Sequence, residues 1–513
     1  MLPYADVRQT HSAVVFFVGD RAYKLKRPVN LGFLDFSTVR ARDAACRREI
    51  ELNRRFAPDV YLGIAEVAGP AGPPAEPLVV MRRMPGDRRL SDLIGGGEPV
   101  GGALRQVARM LAAQHAASPR RPEISEQGSA GALWGRWSAS YEQIRPLAAD
   151  VLQACDIDAA QCLTERFLAG REALLSARIS GGRIVDGHGD LLADDIFCLD
   201  DGPRILDCLE FDDKLRWLDG LDDAAFLAMD LERLGEPAQA EQFTRWYLEF
   251  SGDPAPTALR HHYVAYRAFV RAKVTCVRAG QGDPHAAAAA RQLTAMTLRH
   301  LRAGAITLVV IGGLPATGKS ALAGALADRL GWTVLGSDRI RKELAGVSPG
   351  EQSAAGYGTG IYTPYWTERT YAELLSRAAR LLAMGESVIL DASWVSAGQR
   401  GAAASVAQAA SADLVQLCCT APAELAAQRM SRRRDDVSDA CPAVAARMAR
   451  VQAPWPAAIV IDTSEADAAD AAGPGSAGEA GTAGEAVRRA LAAIRPHGPE
   501  HVWRPARPYM PPG

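Results

Sequence analysis

One short segment constrains the fold more than any other: Gly313-Leu-Pro-Ala-Thr-Gly-Lys-Ser320 matches the pattern G-x-x-x-x-G-K-S at every fixed position. The residues before it, Ile306–Ile311, form a continuous apolar run of strand length, and an Ala-rich segment of helical character follows it. A strand, a glycine-rich loop and a helix in this order form a cradle whose backbone N–H groups point at phosphate oxygens. The segment therefore predicts an α/β domain that binds a nucleoside triphosphate.

The roles within this loop follow from its chemistry. Lys319 is placed to reach the β- and γ-phosphates of ATP, and Ser320 is placed to bind Mg²⁺. The alternative is a glycine-rich turn that matches by chance, but the flanking strand and helix argue against it. The predicted nucleotide-binding residues are Gly313, Leu314, Pro315, Ala316, Thr317, Gly318, Lys319 and Ser320.

Two carboxylates downstream are candidates for the chemistry next to this loop. Asp391 ends an apolar run that begins at Val388, which is the form of an acidic strand end that holds Mg²⁺. Asp338 follows the second predicted strand and could accept a proton from an acceptor hydroxyl, while Arg341 and Lys342 could hold an anionic substrate. A strand-end turn remains the alternative for Asp391, and a helix N-cap for Asp338, where both roles can hold together.

A cluster of arginines follows the predicted strand at 414–418. Arg429 and Arg432 share a helix face by their spacing of three, and Arg433 and Arg434 extend the cluster. Such a cluster can close over the phosphates and stabilise transition-state charge, with Arg429 at the nucleotide and Arg432 in a catalytic role. A solvated helix face that pairs with the acidic residues after it is the alternative.

The segment of about 306–463 resembles the P-loop kinases grouped with gluconate kinase, zeta-toxin kinases and polynucleotide 5′-kinases. The GKS loop, the Ser-Asp-x-x-Arg pattern that contains Asp338, the strand that ends in Asp391 and the arginine cluster carry this resemblance. Those relatives transfer a γ-phosphoryl group to a hydroxyl. The resemblance therefore implies ATP and Mg²⁺ as cofactors and a hydroxyl acceptor, which the sequence does not identify.

A second group of chemical residues lies in the first 300 residues. His188-Gly-Asp190 is followed by an apolar pair and Asp207. Asp190 can orient an acceptor hydroxyl and take its proton, and Asp207 can hold Mg²⁺, which is the arrangement of the two aspartates in protein kinases. The run Val185–Ile196 resembles the aminoglycoside phosphotransferase family, which has a kinase-like fold.

That resemblance implies roles for further residues. In that family a lysine binds the α- and β-phosphates of ATP. It corresponds to Lys24 or Lys26, which share one face of the second strand of a predicted hairpin. Its helix partner corresponds to Glu49, and Asp195 stands where an asparagine metal ligand is expected. The segment 217–223 resembles the part that supports the active loop, but no glycine-rich loop over the phosphates is matched.

The two resemblances cover nearly the whole chain and predict its organisation. Residues 1–300 are expected to form an α+β kinase-like bilobal domain, with a small lobe at about 1–90 and a large lobe at about 91–300. Residues 305–463 are expected to form an α/β P-loop domain with a mainly parallel sheet, and 464–513 a flexible insert, a short helix and a Pro-rich tail. This combination resembles a bacterial family of aminoglycoside phosphotransferase-like proteins fused to an ATP-binding domain.

The composition of the chain limits the classes of partner that it is expected to bind. The chain has 58 basic and 60 acidic residues and a net charge of -2, whereas surfaces that follow nucleic acid carry a basic excess. Its nine cysteines include no CxxC pair, which argues against a disulfide framework and a structural zinc site. No signal-peptide pattern or membrane-spanning run is present, so we expect a cytoplasmic protein that acts on a small molecule.

Three functional hypotheses follow, and the oligomeric state stays open. In the first, the protein has two ATP sites that each phosphorylate a hydroxyl. In the second, the N-terminal half is a pseudokinase that regulates the P-loop half; Asp195 and the unmatched glycine-rich loop favour it. In the third, the protein is a nucleic-acid 5′-end kinase, which the charge balance disfavours.

Overall fold

The computed structural model describes residues 5–9, 13–29, 35–69, 72–148, 150–348, 358–432, 442–464 and 483–494. The chain divides into two compact units. The first unit comprises Met1–Gln161, Leu175–Ala255 and Leu259–Ala303, and the second comprises Cys162–Leu174, Pro256–Ala258 and Gly304–Gly513. Within the described ranges, no helix combines the length and apolar character needed to cross a bilayer.

The first unit begins with a five-stranded antiparallel sheet in the order β1-β2-β3-β5-β4. Strands β2 and β3 form the predicted hairpin, with Ala13 opposite Lys26 and Val18 opposite Arg21. Side chains alternate along a strand, so Lys24 and Lys26 lie on the same face of β3. The strands are β1 (Ala5–Gln9), β2 (Ala13–Val18), β3 (Arg21–Lys26), β4 (Tyr61–Gly69) and β5 (Gly72–Arg82).

Helix α1 (Val39–Asn53) packs on this sheet and presents a buried glutamate to it. The Thr38 side chain caps the helix by accepting a hydrogen bond from the Ala41 N–H. Cys46 and Ile50 on the buried face join an apolar cluster with residues of β4 and β5, and Glu49 on the same face is fully buried. Since a carboxylate is buried only where its charge is compensated, Glu49 requires cations nearby.

From residue 90 to residue 303 the chain is mainly helical, with two short antiparallel strand pairs. Strand β6 (Ile184–Asp186) pairs with β9 (Trp217–Asp219), and β7 (Ile196–Leu199) pairs with β8 (Gly202–Ile205). The helices are α2 (Leu90–Gly95), α3 (Gly101–Ala117), α4 (Pro122–Glu126), α5 (Ala130–Ala148), α6 (Ala154–Ala169), α7 (Glu172–Ser180), α8 (Gly220–Arg233), α9 (Pro237–Ser251), α10 (Thr257–Gly280) and α11 (Ala286–Ala303).

The second unit is built on a five-stranded parallel sheet in the order β11-β12-β10-β13-β14. Every residue of the central strand β10 is buried, as expected for a parallel strand covered on both faces. The strands are β10 (Thr307–Gly312), β11 (Thr333–Gly336), β12 (Val388–Asp391), β13 (Asp413–Thr420) and β14 (Ile459–Asp462). The helices are α12 (Lys319–Leu330), α13 (Ser337–Ala345), α14 (Pro364–Ala383), α15 (Ala397–Ala409), α16 (Ala423–Arg432), α17 (Pro442–Val451) and α18 (Ala483–Ile494).

The predicted fold class is confirmed: an α+β region with an antiparallel sheet is followed by an α/β region with a parallel sheet. The short helix expected near the C-terminus is present as α18. The flexible insert and the Pro-rich tail fall mainly on residues 465–482 and 495–513, which lie outside the described residues.

Candidate nucleotide-binding sites

The loop between β10 and α12 has the backbone shape of a phosphate cradle. Gly313, Ala316 and Gly318 have φ angles of 134°, 62° and 81°. A Cβ atom at Gly313 would lie 2.4 Å from the carbonyl oxygen of Cys419, so a side chain there would displace β13 or the loop. Helix α12 begins directly after the loop at Lys319, so its N-terminus faces the same space. This geometry fits the phosphates of a nucleoside triphosphate.

The two side chains predicted to act on phosphate and metal lie at the start of α12. The Nζ atom of Lys319 donates a hydrogen bond to the Leu314 carbonyl at 2.8 Å, so the ammonium group lies over its own loop. Ser320 beside it is exposed. Charged phosphate oxygens are stronger acceptors for an ammonium group than a neutral carbonyl. Lys319 is therefore held where a phosphate can replace the Leu314 carbonyl as an acceptor.

The strand order brings the two predicted carboxylates of this unit to one edge of the sheet. In the parallel register, Asp391 lies between Ile311 of β10 and Gly336 of β11. Asp338 follows Gly336 in the first turn of α13. Because the carboxyl ends of parallel strands meet at one edge, both carboxylates lie on the side of the phosphate loop. Both are half-buried.

Arg429 on α16 is joined to the phosphate loop. Its guanidinium donates to the Ala316 carbonyl at 3.4 Å and to the Thr463 carbonyl at 2.8 Å. The hydroxyl of Thr463 donates to the Thr317 carbonyl at 2.8 Å. Arg429 therefore lies next to the predicted nucleotide loop and supports its backbone from the β14 side.

The remaining basic residues predicted for this site are placed differently. Arg432 is exposed at the end of α16, and Arg433 and Arg434 lie outside the described residues. Arg341 is buried and donates to a main-chain carbonyl in the segment before α14, and Lys342 is fully buried. These two cations are used inside the unit, so the expectation that they hold an anionic substrate does not fit their positions.

Sequence reasoning missed a tryptophan in the loop after β12. Trp394 is fully buried and has a φ angle of 52°. Its main-chain N–H donates to the Tyr371 hydroxyl at 3.2 Å, and that hydroxyl also lies 3.2 Å from the Ser393 hydroxyl. Arg400 donates to the Trp394 carbonyl at 2.7 Å. A non-glycine residue keeps a positive φ only where its surroundings enforce it, so these contacts give the loop after Asp391 a fixed shape.

In the first unit, Glu49 binds both candidate lysines. Lys24 Nζ lies 2.9 Å from Glu49 Oε1 and 2.7 Å from Asp207 Oδ1. Lys26 Nζ lies 2.8 Å from Glu49 Oε2 and 2.5 Å from Glu210 Oε1. The sequence left the choice between the lysines open. The geometry separates them, because Lys24 is joined to the predicted metal ligand and Lys26 is joined to Glu210.

The ion pairs keep Lys24, Glu49 and Asp207 charged. Burial lowers the pKa of Lys24, but Asp207 and Glu49 outweigh it and hold the pKa well above its ordinary value. Burial has the opposite effect on an acid and raises the pKa of Glu49, yet Lys24 and Lys26 bring this pKa below its ordinary value. Lys24 also lowers the pKa of Asp207. At neutral pH the cluster therefore consists of ammonium groups and carboxylates.

Three predicted carboxylates of this unit share one electrostatic environment. Burial raises the pKa of Asp190 to about 6, against the opposing charge of Arg271. Burial, Asp207 and Asp190 together raise the pKa of Asp195 well above its ordinary value. In the described part of the chain, no three or more His, Cys, Asp or Glu side chains form a ready metal cage. Kinase-type Mg²⁺ sites use one or two carboxylates with phosphate oxygens, a chemistry that Asp195 and Asp207 suit.

A buried aspartate holds the loop that carries Asp190. Asp223, in the first turn of α8, accepts hydrogen bonds from the His188 N–H at 2.7 Å and the Gly189 N–H at 2.8 Å. Its carboxylate also lies 3.0 Å from His115 Nε2. Although burial favours the protonated form, His115 and His188 hold the pKa of Asp223 well below its usual range. Asp223 therefore connects the segment 217–223 to this loop.

Two residues that the sequence did not single out fix the segment that carries Asp207. Asp207 has a φ angle of 63°, and its N–H donates to the Tyr61 hydroxyl at 3.2 Å. The N–H of Cys208 donates to Asn53 Oδ1 at 2.9 Å. Tyrosine and asparagine carry no signal for such a contact in sequence, because their partners lie about 150 residues away.

Solved structures of kinases align with parts of this chain. A choline/ethanolamine kinase family protein from Mesorhizobium loti aligns with 59% of this chain and 93% of its own, at 16% identity and a TM-score of 0.35. A gluconokinase from Sinorhizobium meliloti 1021 aligns with 37% of this chain and 91% of its own, at 19% identity and a TM-score of 0.23.

Sequence comparison gives a domain match and a whole-chain match. A family model described as an AAA domain matches residues 308–455. The uncharacterized protein Rv2004c of Mycobacterium tuberculosis is 44% identical over 464 residues, which cover 90% of this chain and 93% of that protein. The chain therefore belongs to the same family as Rv2004c, and its C-terminal unit contains the AAA domain that the family model matches.

Proposed function

We propose that this protein is an ATP-dependent phosphotransferase that moves the γ-phosphoryl group of ATP to a hydroxyl of a small molecule. The observation that carries the proposal is the cradle at 313–318, with Lys319 over it and Asp338 and Asp391 at the same sheet edge. These are the parts that phosphoryl transfer requires: a phosphate site, a cation, a metal ligand and a base.

Each side chain of the P-loop site has a separate task. Lys319 and the N–H groups of the loop bind the phosphates and offset their charge. Ser320 and Asp391 would hold Mg²⁺, which supplies further positive charge at the transferring group. Asp338 would orient the acceptor hydroxyl and take its proton. Arg429 keeps the loop in shape through its bonds to two main-chain carbonyls.

The first unit supports a second site of the same chemistry. Lys24, oriented by Glu49, would bind the α- and β-phosphates, and Asp207 and Asp195 would hold Mg²⁺. Asp190 would act as the base, since a carboxyl with a pKa of about 6 is mostly ionised at neutral pH. A regulatory nucleotide-binding module is a second candidate for this unit, because Asp195 adds a third carboxylate beside Asp190 and Asp207.

The test uses two variants of the full chain, Lys319→Ala and Asp190→Asn, with Arg329→Ala and Asp200→Asn as controls. Both control side chains are exposed; Arg329 lies on the same helix as Lys319, and Asp200 lies in the same unit as Asp190. ATP consumption is measured with sugars, aminoglycosides, nucleosides and oligonucleotides. We expect each site variant to lose the phosphorylation of its own acceptor.

Three other outcomes are informative. Loss of all turnover in Lys319→Ala alone would leave the first unit a regulatory module. Phosphoryl transfer to oligonucleotides alone would favour the nucleic-acid 5′-end kinase. If neither variant changes ATP consumption with any acceptor, the proposed phosphotransferase sites are wrong.

A further inference from the structure

Helix α10 presents two arginines, Arg267 and Arg271, one turn apart on the same face. Arg267 is buried, and its Nε donates to Asp222 Oδ1 at 2.7 Å. Its guanidinium also lies 4.8 Å from the centre of the Phe226 ring. Both contacts are with α8, so this face of α10 is turned toward α8.

Helix α8 in turn supports the loop that carries Asp190. Asp223 holds the main chain just before Asp190, and Asp230, two turns later, accepts a hydrogen bond from the Ala193 N–H at 3.0 Å. Helix α8 therefore contacts both the arginine face of α10 and the loop that carries Asp190. The electrostatics agree, since Arg271 exerts the largest charge effect on the Asp190 carboxyl.

The two arginines differ in how their charge is compensated. Arg267 is neutralised by its ion pair with Asp222. Arg271 is half-buried, and its guanidinium has no ion pair or hydrogen bond within the described ranges. A partly desolvated guanidinium that has no counter-ion of its own is stabilised when an anion binds to it.

We propose that Arg271 binds an anionic group of the acceptor in the first unit, so that this acceptor is an alcohol bearing a carboxylate or a phosphate. A guanidinium recognises both groups through paired hydrogen bonds, and it repels a cationic acceptor. The inference rests on the phosphotransfer proposed for this unit. In that step the acceptor oxygen forms a bond to the γ-phosphorus, the bond from the γ-phosphorus to the bridging oxygen breaks, ADP leaves, and Asp190 takes the hydroxyl proton.

The test uses the full chain with Lys319→Ala, so that turnover at the P-loop site is removed. Matched acceptors are compared: gluconate with glucose, glycerol 3-phosphate with glycerol, and glucosamine as a cation. Binding is measured by calorimetry and turnover by ADP release. We expect the anionic member of at least one pair to be preferred about 10-fold or more, since a charged hydrogen bond is worth roughly 1.5–3 kcal/mol. The gluconate and glycerol 3-phosphate arms distinguish a carboxylate from a phosphate.

The variant Arg271→Gln is expected to weaken binding of the preferred anionic acceptor by about 10- to 100-fold with little change for its neutral partner. Arg271→Lys should restore part of this affinity because it keeps the charge but not the paired geometry. Arg278→Gln is the control, because Arg278 lies on the same helix, is exposed and pairs with Asp283. It should leave acceptor binding unchanged.

The two readouts separate the two proposals. If an anionic alcohol binds through Arg271 but is not phosphorylated, the phosphotransfer proposed for this unit is wrong and the anion site stands. If no anionic acceptor of the panel binds, if neutral partners bind equally well, or if Arg271→Gln has no effect, the anion site is wrong.

Discussion

Lys24 Nζ and Asp207 Oδ1 lie 2.7 Å apart, although 183 positions separate the two residues in the chain. The pair joins the strand expected to bind phosphates to the segment expected to bind metal. Lys24 also contacts Glu49, which is fully buried, whereas the Asp207 side chain is half exposed. We expect ATP to replace Asp207 as a partner of Lys24, because the exposed contact is the easier one to exchange.

Replacing Lys24 by methionine is expected to weaken ATP binding to the first unit about 10-fold or more, because a charged hydrogen bond contributes roughly 1.5–3 kcal/mol. The measurement is a titration of ATP and Mg²⁺ into the full chain carrying Lys319→Ala. Arg21→Met on the same strand is the matched control, since Arg21 is more exposed and, among the described residues, pairs only with the exposed Asp20 at 3.7 Å. Equal ATP affinity of Lys24→Met and the control would contradict the assignment.

The substitution Gly313→Ala is expected to weaken nucleotide binding at the P-loop and to lower the free energy of unfolding by about 1–3 kcal/mol. The added Cβ meets the Cys419 carbonyl at 2.4 Å, at a φ of 134°. Gly324→Ala on α12 is the control: it meets no atom within 4 Å and should stabilise the helix by about 0.5–1 kcal/mol. Denaturant unfolding and ATP titration check both variants. Normal ATP affinity in Gly313→Ala would show that the loop does not bind phosphate in this shape.

The variant Asp223→Asn is expected to reduce turnover at the Asp190 site and to lower the free energy of unfolding by about 1–3 kcal/mol. An amide has one acceptor oxygen, whereas the carboxylate accepts from His188 N–H and Gly189 N–H with its two oxygens. Asp92→Asn at an exposed position of α2 is the control. Turnover that depends on Lys319 should be unchanged. A loss of both activities would mean that the substitution acts through general unfolding.

The pH dependence of the first unit is expected to follow Asp190. Its pKa of about 6 is above the ordinary value, so turnover should rise with pH through this value; one unit below it, about one-tenth of the carboxyl is ionised. For stability the sign is opposite: the contribution of a carboxyl with a raised pKa is present at low pH and is lost as the pH rises through about 6. Rates measured in Lys319→Ala protein from about pH 5 to pH 8 test this expectation. A flat profile would exclude Asp190 as the base.

Local signals are sufficient to predict the central strands and the phosphate loop of the second unit. Buried parallel strands appear in sequence as continuous apolar runs, so β10 and β12 were located within one residue. The glycine pattern required by the phosphate loop and the position of Asp391 at a strand end are also local. The burial of Arg341 and Lys342 cannot be predicted from local sequence, because this burial depends on α14 and on the segment that precedes α14.

In the first unit, local patterns place Lys24 and Lys26 on one face of a strand but do not show which of the two faces the predicted metal ligand. Their distinction arises from Asp207 and Glu210, which differ in which lysine they reach. The same limit applies to Trp394 in the second unit, since tryptophan has no preference for a positive φ. Its conformation is imposed by contacts from other elements, and such contacts leave no short motif.

Glu49 also limits the conformational changes that helix α1 can undergo in the first unit. Displacing α1 from the sheet would leave Lys24 and Lys26 without their common counter-charge, and Lys26 is only 2% exposed. Removing one partner of a buried ion pair typically costs about 3–5 kcal/mol, and here two such contacts would be broken together. An inactive form made by swinging this helix outward is therefore disfavoured, and α1 is expected to stay in place in both the empty and the nucleotide-bound protein.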